Sequence, residues 1–152
     1  MKRLILFAAA GSAALLAGAL IFQQLGYAPC KMCIWQRYPH AVATLIGAAF
    51  LLVPARMFAW LGAIAATVTG GIGAFHSGVE QKWWEGPASC SGGGAGLGGL
   101  SGADLLSTYT VSRVVMCDEI SWAFLGLSMP TWNALLSFGL ALIWVRAAML
   151  KA

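Results

Sequence analysis

The sequence predicts an all-α integral membrane protein: a four-helix bundle with two loops on one side, the second long enough to carry a short interfacial helix. Three observations lead there. Hydrophobic residues make up 60% of the 152-residue chain and charged residues only 9%, with a mean hydropathy of +0.80. A soluble domain of this size would lack the polar residues to coat its surface. Four stretches are long and apolar enough, or nearly so, to cross a hydrocarbon core about 30 Å thick at about 1.5 Å per residue. The ionisable residues are also sorted by side. Lys2, Arg3, Arg56, Arg146 and Lys151 fall at one end of such a bundle, while Glu80, Glu85, Asp104, Asp118 and Glu119 fall at the other.

The first helix is expected over residues 4–25. Lys2 and Arg3 before an apolar run resemble the start of a signal peptide, but the uncharged stretch continues to Cys30 without a convincing small-residue cleavage site, so a retained helix is expected. A short outer loop, 26–33, leads to the second helix over 34–53, with Arg37 and His40 near its start. Pro54, Ala55 and Arg56 make a tight turn into the third helix, 57–75, which places these two helices antiparallel and adjacent. The second outer loop spans 76–129 and the last helix 130–150, all within one transmembrane domain covering 1–152.

The basic bias puts both termini in the cytoplasm and the loops outside. Cys30, Cys33, Cys90 and Cys117 all fall on the outer side, where disulfides persist, and none falls on the inner side. The long loop has three parts. Trp83 and Trp84 resemble an interfacial anchor. A glycine-rich run over 91–99 has few side chains to pack and wide backbone freedom, with Cys90 at its edge. Residues 104–113 can start a short helix capped by Asp104, lying in the interface through Leu105, Leu106 and Tyr109. The net charge of +4 is spread along membrane edges, unlike the clustered basic face of a nucleic-acid binder. Walker loops, dinucleotide-binding glycine fingerprints and histidine pairs at metal spacing are absent from the sequence.

The chemistry resides in the cysteines. Cys30-Lys31-Met32-Cys33 is a C-x-x-C pair at a helix start, where exposed amides stabilise a thiolate and two sulfurs can close a disulfide. The same spacing supplies half of a zinc site, and two buried apolar cysteines are a third reading. Cys90 and Cys117 are too far apart in sequence for the usual paired zinc ligands. They suit either a structural disulfide or thiol exchange, and the neighbouring glycine run favours exchange, in which an attacking thiolate must reach a sulfur. Arg37 lies one turn beyond Cys33 on the same face, placed to favour a thiolate or hold a reduced, anionic acceptor; snorkelling to headgroups is its plainer role. His76 is a candidate ligand contact or proton donor, or simply an interfacial histidine. Trp35 and Tyr38 either flank a flat cofactor or belong to an aromatic belt. Glu80, Glu85, Asp118 and Glu119 read as a solvated outer face.

Taken together, these residues resemble the DsbB family of bacterial disulfide-forming membrane proteins. The run from Pro29 through Cys30, Cys33 and Arg37 is similar to the family's first outer loop. His76, Glu80, Trp83, Trp84, Pro87 and Cys90 are similar to its second, and Cys117-Asp118 followed by Trp122 to Trp132 is similar to the approach to its last helix. The resemblance implies an enzyme of the inner membrane that reoxidises a periplasmic thioredoxin-like oxidase, usually DsbA, and reduces ubiquinone or menaquinone. It implies that Cys90 takes the mixed disulfide, that Cys117 resolves it, and that Cys30 receives the electrons, with a transient Cys30 to Cys117 bridge. Cys33 then faces the quinone beside Arg37, with His76 close to it, and no metal is expected. A vitamin K epoxide reductase type relay is the competing enzyme, but there the loop pair precedes the C-x-x-C. A non-enzymatic membrane protein with static disulfides or zinc is the alternative from another class.

Overall fold

The computed structural model describes residues 1–87, 90 and 116–150. Among them are four helices, α1 (Lys2–Gln24), α2 (Lys31–Leu52), α3 (Arg56–Glu80) and α4 (Met129–Met149), with a short hairpin before α4 formed by β1 (Ala123–Phe124) and β2 (Leu127–Ser128). The expected short helix over 104–113, the glycine run 91–99 and Lys151 lie outside the described residues.

Three of the helices, α1, α3 and α4, are long and apolar enough to cross a membrane. The second helix is long enough but less apolar than expected, because Gln36, Arg37, Tyr38, Pro39 and His40 occupy its second and third turns. Its start is set by Cys30, an extended N-cap residue whose sulfur accepts a hydrogen bond from the Cys33 amide. Pro39 has no N–H to offer the carbonyl one turn back, a local weakness within α2.

The largest departure from expectation is the length of α3. It runs on to Glu80 rather than stopping near Phe75, and its last turns bury His76, Gly78, Val79 and Glu80. These residues look like loop in the sequence because they are polar or small, but they are inward-facing. Gly78 is required there: a Cβ at that position would stand 2.0 Å from the Trp84 ring. The Trp84 indole donates to the Phe75 carbonyl at 2.9 Å and stacks on the Phe75 ring, so it folds back over the end of α3, while Trp83 stays exposed.

The third helix packs most extensively against α4 and then α2, while α1 leans on α2 and α4 and barely touches α3. At the end that holds the chain termini the core is built mostly from small residues around two large ones. Ile5, Ala8, Ala9, Ala59, Ala63, Ala66, Ala147 and Ala148 surround Trp144 and Phe50. Helices approach closely there because Gly47 faces Ala9 and Gly62 faces Trp144. Arg56 donates to the Leu150 carbonyl at 3.1 Å, tying the start of α3 to the end of α4. Leu45, Leu52, Ile64 and Leu142 point outward, as a lipid-facing surface requires.

Candidate functional site

The opposite end holds all four cysteines. Cys30, Cys90 and Cys117 are buried together with Met32 and Val79, and Cys33 packs half-buried against them. All four sulfurs are unbridged. Cys30 Sγ lies 2.9 Å from Cys33 Sγ and donates to it. When this pair loses one proton, the negative charge therefore settles on Cys33. The Cys30 thiol itself is pushed up to about 12, first by that hydrogen bond and then by burial, with His76 acting in the opposite sense.

The loop cysteines are held as closely. The Cys117 amide donates to the Cys90 carbonyl at 3.0 Å, and the Cys90 amide to the Pro87 carbonyl at 2.7 Å. Burial is the main cause that raises both thiols, Cys90 to about 12. Cys90 and Cys117 pack with Cys30 in one buried cluster, and the Met32 amide at the start of α2 favours the thiolate form of both loop cysteines. Cys90, expected to be the accessible partner of the pair, is 4% exposed.

His76, placed by its sequence position at an interface, is buried at 2% exposure between the two cysteine pairs. Its Nε2 is 3.6 Å from Cys30 Sγ and 3.2 Å from the Cys117 carbonyl. Its Nδ1 is 3.0 Å from Gln36 Nε2. An amide nitrogen only donates and a carbonyl only accepts, so Nδ1 is bare and Nε2 carries the hydrogen. This tautomer bears on zinc. Cys30, Cys33 and His76 have ligand atoms within 4.8 Å of one another, but a metal at Nε2 would need that nitrogen bare and a hydrogen on Nδ1, where the Gln36 NH2 stands.

Beyond the cysteines opens a cavity of about 390 Å³ between α1, α2 and α4, lined by Cys30, Cys33, Arg37, His40 and His76 with mainly apolar neighbours. Its aromatic walls are Phe22, Trp122, Phe124 and Trp132, positioned by an edge-on contact of Phe22 with Trp122, stacking of Trp122 on Phe124, and a 3.0 Å bond from the Trp132 indole to the Phe124 carbonyl. Trp35 and Tyr38 are instead outward-facing, Trp35 with the Lys31 ammonium above its ring. Arg37 is anchored on α1 by Gln23 Oε1 at 2.6 Å and the Ala19 carbonyl at 3.2 Å, which leaves its buried Nε without a partner among the described residues.

Four polar residues that sequence reasoning assigned no role complete the site. Gln36 Oε1 accepts from Asn133 at 2.7 Å, Thr69 donates to the Gln36 carbonyl at 3.0 Å, and Asn133 Oδ1 is 2.8 Å from His40 Nε2, with Ser137 nearby. Glu80 corrects an expectation. It is buried rather than part of a solvated face, because the lengthened α3 carries it inward to Ser128, whereas Glu85 and Glu119 are exposed as expected. Asp118 is partly exposed and paired with Lys82 at 2.5 Å.

Fold and site thus define a multi-pass membrane protein whose four cysteines converge beside a cavity within the helices. Comparison with known proteins gives it a family. The family model described as "Disulfide bond formation protein DsbB" matches residues 1–147. A disulfide bond formation protein B of Xanthomonas oryzae is 37% identical over 92% of this chain and 85% of its own length. Proteins of the same name from Xylella fastidiosa and a Polaromonas species are 32% and 27% identical, over 81% and 93% of this chain and 76% and 87% of their own lengths. No solved structure matches. The chain belongs to the DsbB family of disulfide bond formation proteins, and is a membrane disulfide oxidoreductase.

Proposed function

We propose that this chain reoxidises a periplasmic thioredoxin-fold oxidase of the DsbA type and passes the electrons through two cysteine pairs to a membrane quinone, ubiquinone or menaquinone. It does so in the bacterial inner membrane, with both termini cytoplasmic and the cysteines on the periplasmic side. The observation that carries this reading is the contact between the two cysteine pairs beside the cavity.

The route is a series of thiol–disulfide exchanges starting from the enzyme with both pairs oxidised. A partner thiolate attacks Cys90, forming a mixed disulfide and releasing Cys117 as a thiolate. Cys117 attacks Cys30, which opens the Cys30–Cys33 disulfide and leaves the charge on Cys33. The partner's second thiol resolves the mixed disulfide, and the freed Cys90 then displaces Cys30 from Cys117. The partner leaves oxidised, the loop disulfide is restored, and two electrons rest on Cys30 and Cys33. Helix amides and the Cys30 hydrogen bond support the Cys33 thiolate, while the His76 Nε2–H stands beside Cys30 as that sulfur becomes the leaving group. Because Cys90 is buried, the partner's approach must uncover it.

The cavity fits a quinone: aromatic and aliphatic walls suit a flat ring with a hydrocarbon tail, and two buried polar atoms, Arg37 Nε and His40 Nδ1, lack partners among the described residues. A bound quinone supplies a two-electron sink stronger than a DsbA-type oxidase, whose potential is about −120 mV. Arg37 would hold one of its oxygens and Cys33 would face the ring.

The test is reduction of a short-chain quinone by purified protein in detergent with a reduced thioredoxin-fold oxidase, comparing the native chain with Cys33→Ser. We expect turnover in the native protein and none in the variant. Native protein inert with both ubiquinone and menaquinone analogues would overturn the proposal.

A further inference from the structure

The hydrogen bonds behind the cysteines form one chain whose polarity can be assigned from end to end. His76 Nε2 faces the Cys117 carbonyl at 3.2 Å, Gln36 Nε2 faces the Met32 carbonyl at 3.3 Å, and Asn133 Nδ2 faces the Thr69 carbonyl at 3.5 Å. A backbone carbonyl only accepts, so each of these three nitrogens bears hydrogen. The links between them then run one way. Gln36 donates to His76 Nδ1, and Asn133 donates to Gln36 Oε1. That leaves Asn133 Oδ1 as an acceptor 2.8 Å from His40 Nε2, which must carry the hydrogen. In a neutral imidazole the other nitrogen is then a bare lone pair. His40 Nδ1 is buried and has no partner among the described residues, and His40 is 3% exposed and lines the cavity.

One helical turn away on the same face, Arg37 Nε offers the opposite chemistry, an N–H with no acceptor among the described residues. Two residues lining the cavity therefore hold one unpaired donor and one unpaired acceptor among the described residues, each covered by its neighbours, so a ligand reaches them only by displacing that cover. An oxidised quinone has only acceptor oxygens and can satisfy Arg37 alone. Its reduced, dihydroxy form can satisfy both.

We propose that His40 is a specificity-determining residue of the cavity: through Nδ1 it accepts a hydrogen bond from a hydroxyl of the reduced quinone, so the site holds the dihydroxy form more tightly than the oxidised one. Asn133 is the positioning residue that fixes the tautomer. The inference rests on the quinone reading above. It also carries a functional cost, since a site that favours its product is subject to product inhibition.

The first test uses native protein in nanodiscs with 15N-labelled histidine; the chain has only two, His40 and His76. The His40 Nδ1 resonance, that of a bare nitrogen, should move to lower frequency on adding a short-chain ubiquinol and stay in place on adding the same ubiquinone. A nitrogen that responds equally to both forms, or to neither while both bind, overturns the proposal. The second test is His40→Leu. It should weaken ubiquinol as a product inhibitor by about three- to tenfold more than it weakens ubiquinone, the range of one net hydrogen bond, read as a change in the ratio of the ubiquinol inhibition constant to KM for ubiquinone. Equal loss for both forms would reduce His40 to a structural role. Native protein that binds and reduces no quinone would instead sink the functional reading beneath this inference, an outcome distinct from a His40 indifferent to the ring's redox state.

Discussion

The two ends of this bundle are held together by different physics. At the end with the chain termini, α1 meets α2 and α3 meets α4 through glycine and alanine, and Trp144 fills the space left at Gly62. At the other end the helices meet through Gln36, His40, Thr69, His76 and Asn133, each bonded to a partner on another element, and a cavity remains between them. Helices already in lipid gain little from burying more apolar surface, so shape fit and polar bonds are the available means of association. The close-packed end carries rigidity. The polar end tolerates open space because directional bonds, rather than contact, fix its geometry.

The sharpest way to break this contrast is at Gly62. A Cβ there would stand 2.5 Å from the Trp144 ring, so Gly62→Val must push a buried tryptophan out of register, at about 1–3 kcal/mol or more. We expect a large fall in thermal midpoint in detergent with little change in turnover per folded molecule. A variant as stable as the native chain would refute the close-packed account of that end.

A smaller effect is expected at Gln36. Gln36→Leu removes the donor to His76 Nδ1 and one acceptor for Asn133; Asn133 keeps Thr69 as a partner, so the loss is that of one unpaired group, about 1–3 kcal/mol. With Gln36 gone, His76 is free to bare Nε2, so the reduced variant should retain zinc that the native protein releases on desalting. Equal zinc retention by both would show that the tautomer is not held by Gln36.

The smallest effect belongs to the surface. Lys82 holds the Asp118 carboxyl below the usual carboxylate range, so this pair stabilises the folded state above the ordinary aspartate pKa and loses that contribution as pH falls through the folded value. The side chains are 65% and 30% exposed, which keeps the gain under about 1 kcal/mol. The difference in thermal midpoint between native protein and Lys82→Ala should be small at about pH 7 and shrink steadily as pH falls below the ordinary aspartate pKa. A difference that persists unchanged across that range would exclude the ion pair as its cause.

Much of this architecture was legible because its signals are local. Apolar length identified the helices, Cys30 and Cys33 declared a pair through their spacing, and Arg37 followed on the same face. The failures have physical reasons. The last turns of α3 read as loop because polarity was taken for exposure, whereas His76 and Glu80 are polar and buried. The β1–β2 hairpin turns through Leu125 and Gly126, both at positive φ, and leucine gives no hint of that conformation. The Gln36, Thr69 and Asn133 network was invisible because no spacing within a single helix links the three residues. Their meeting depends on how three helices are rotated against one another, which one sequence does not display.

Cys30 is at once the cap of α2 and a sulfur of the relay. Anyone preparing an inactive version of this chain should treat the two substitutions usually regarded as equivalent as different reagents. Serine at position 30 keeps an oxygen where the Cys33 amide needs an acceptor and removes only the electron path. Alanine removes both, and so confounds loss of chemistry with a loosened helix beside the cavity.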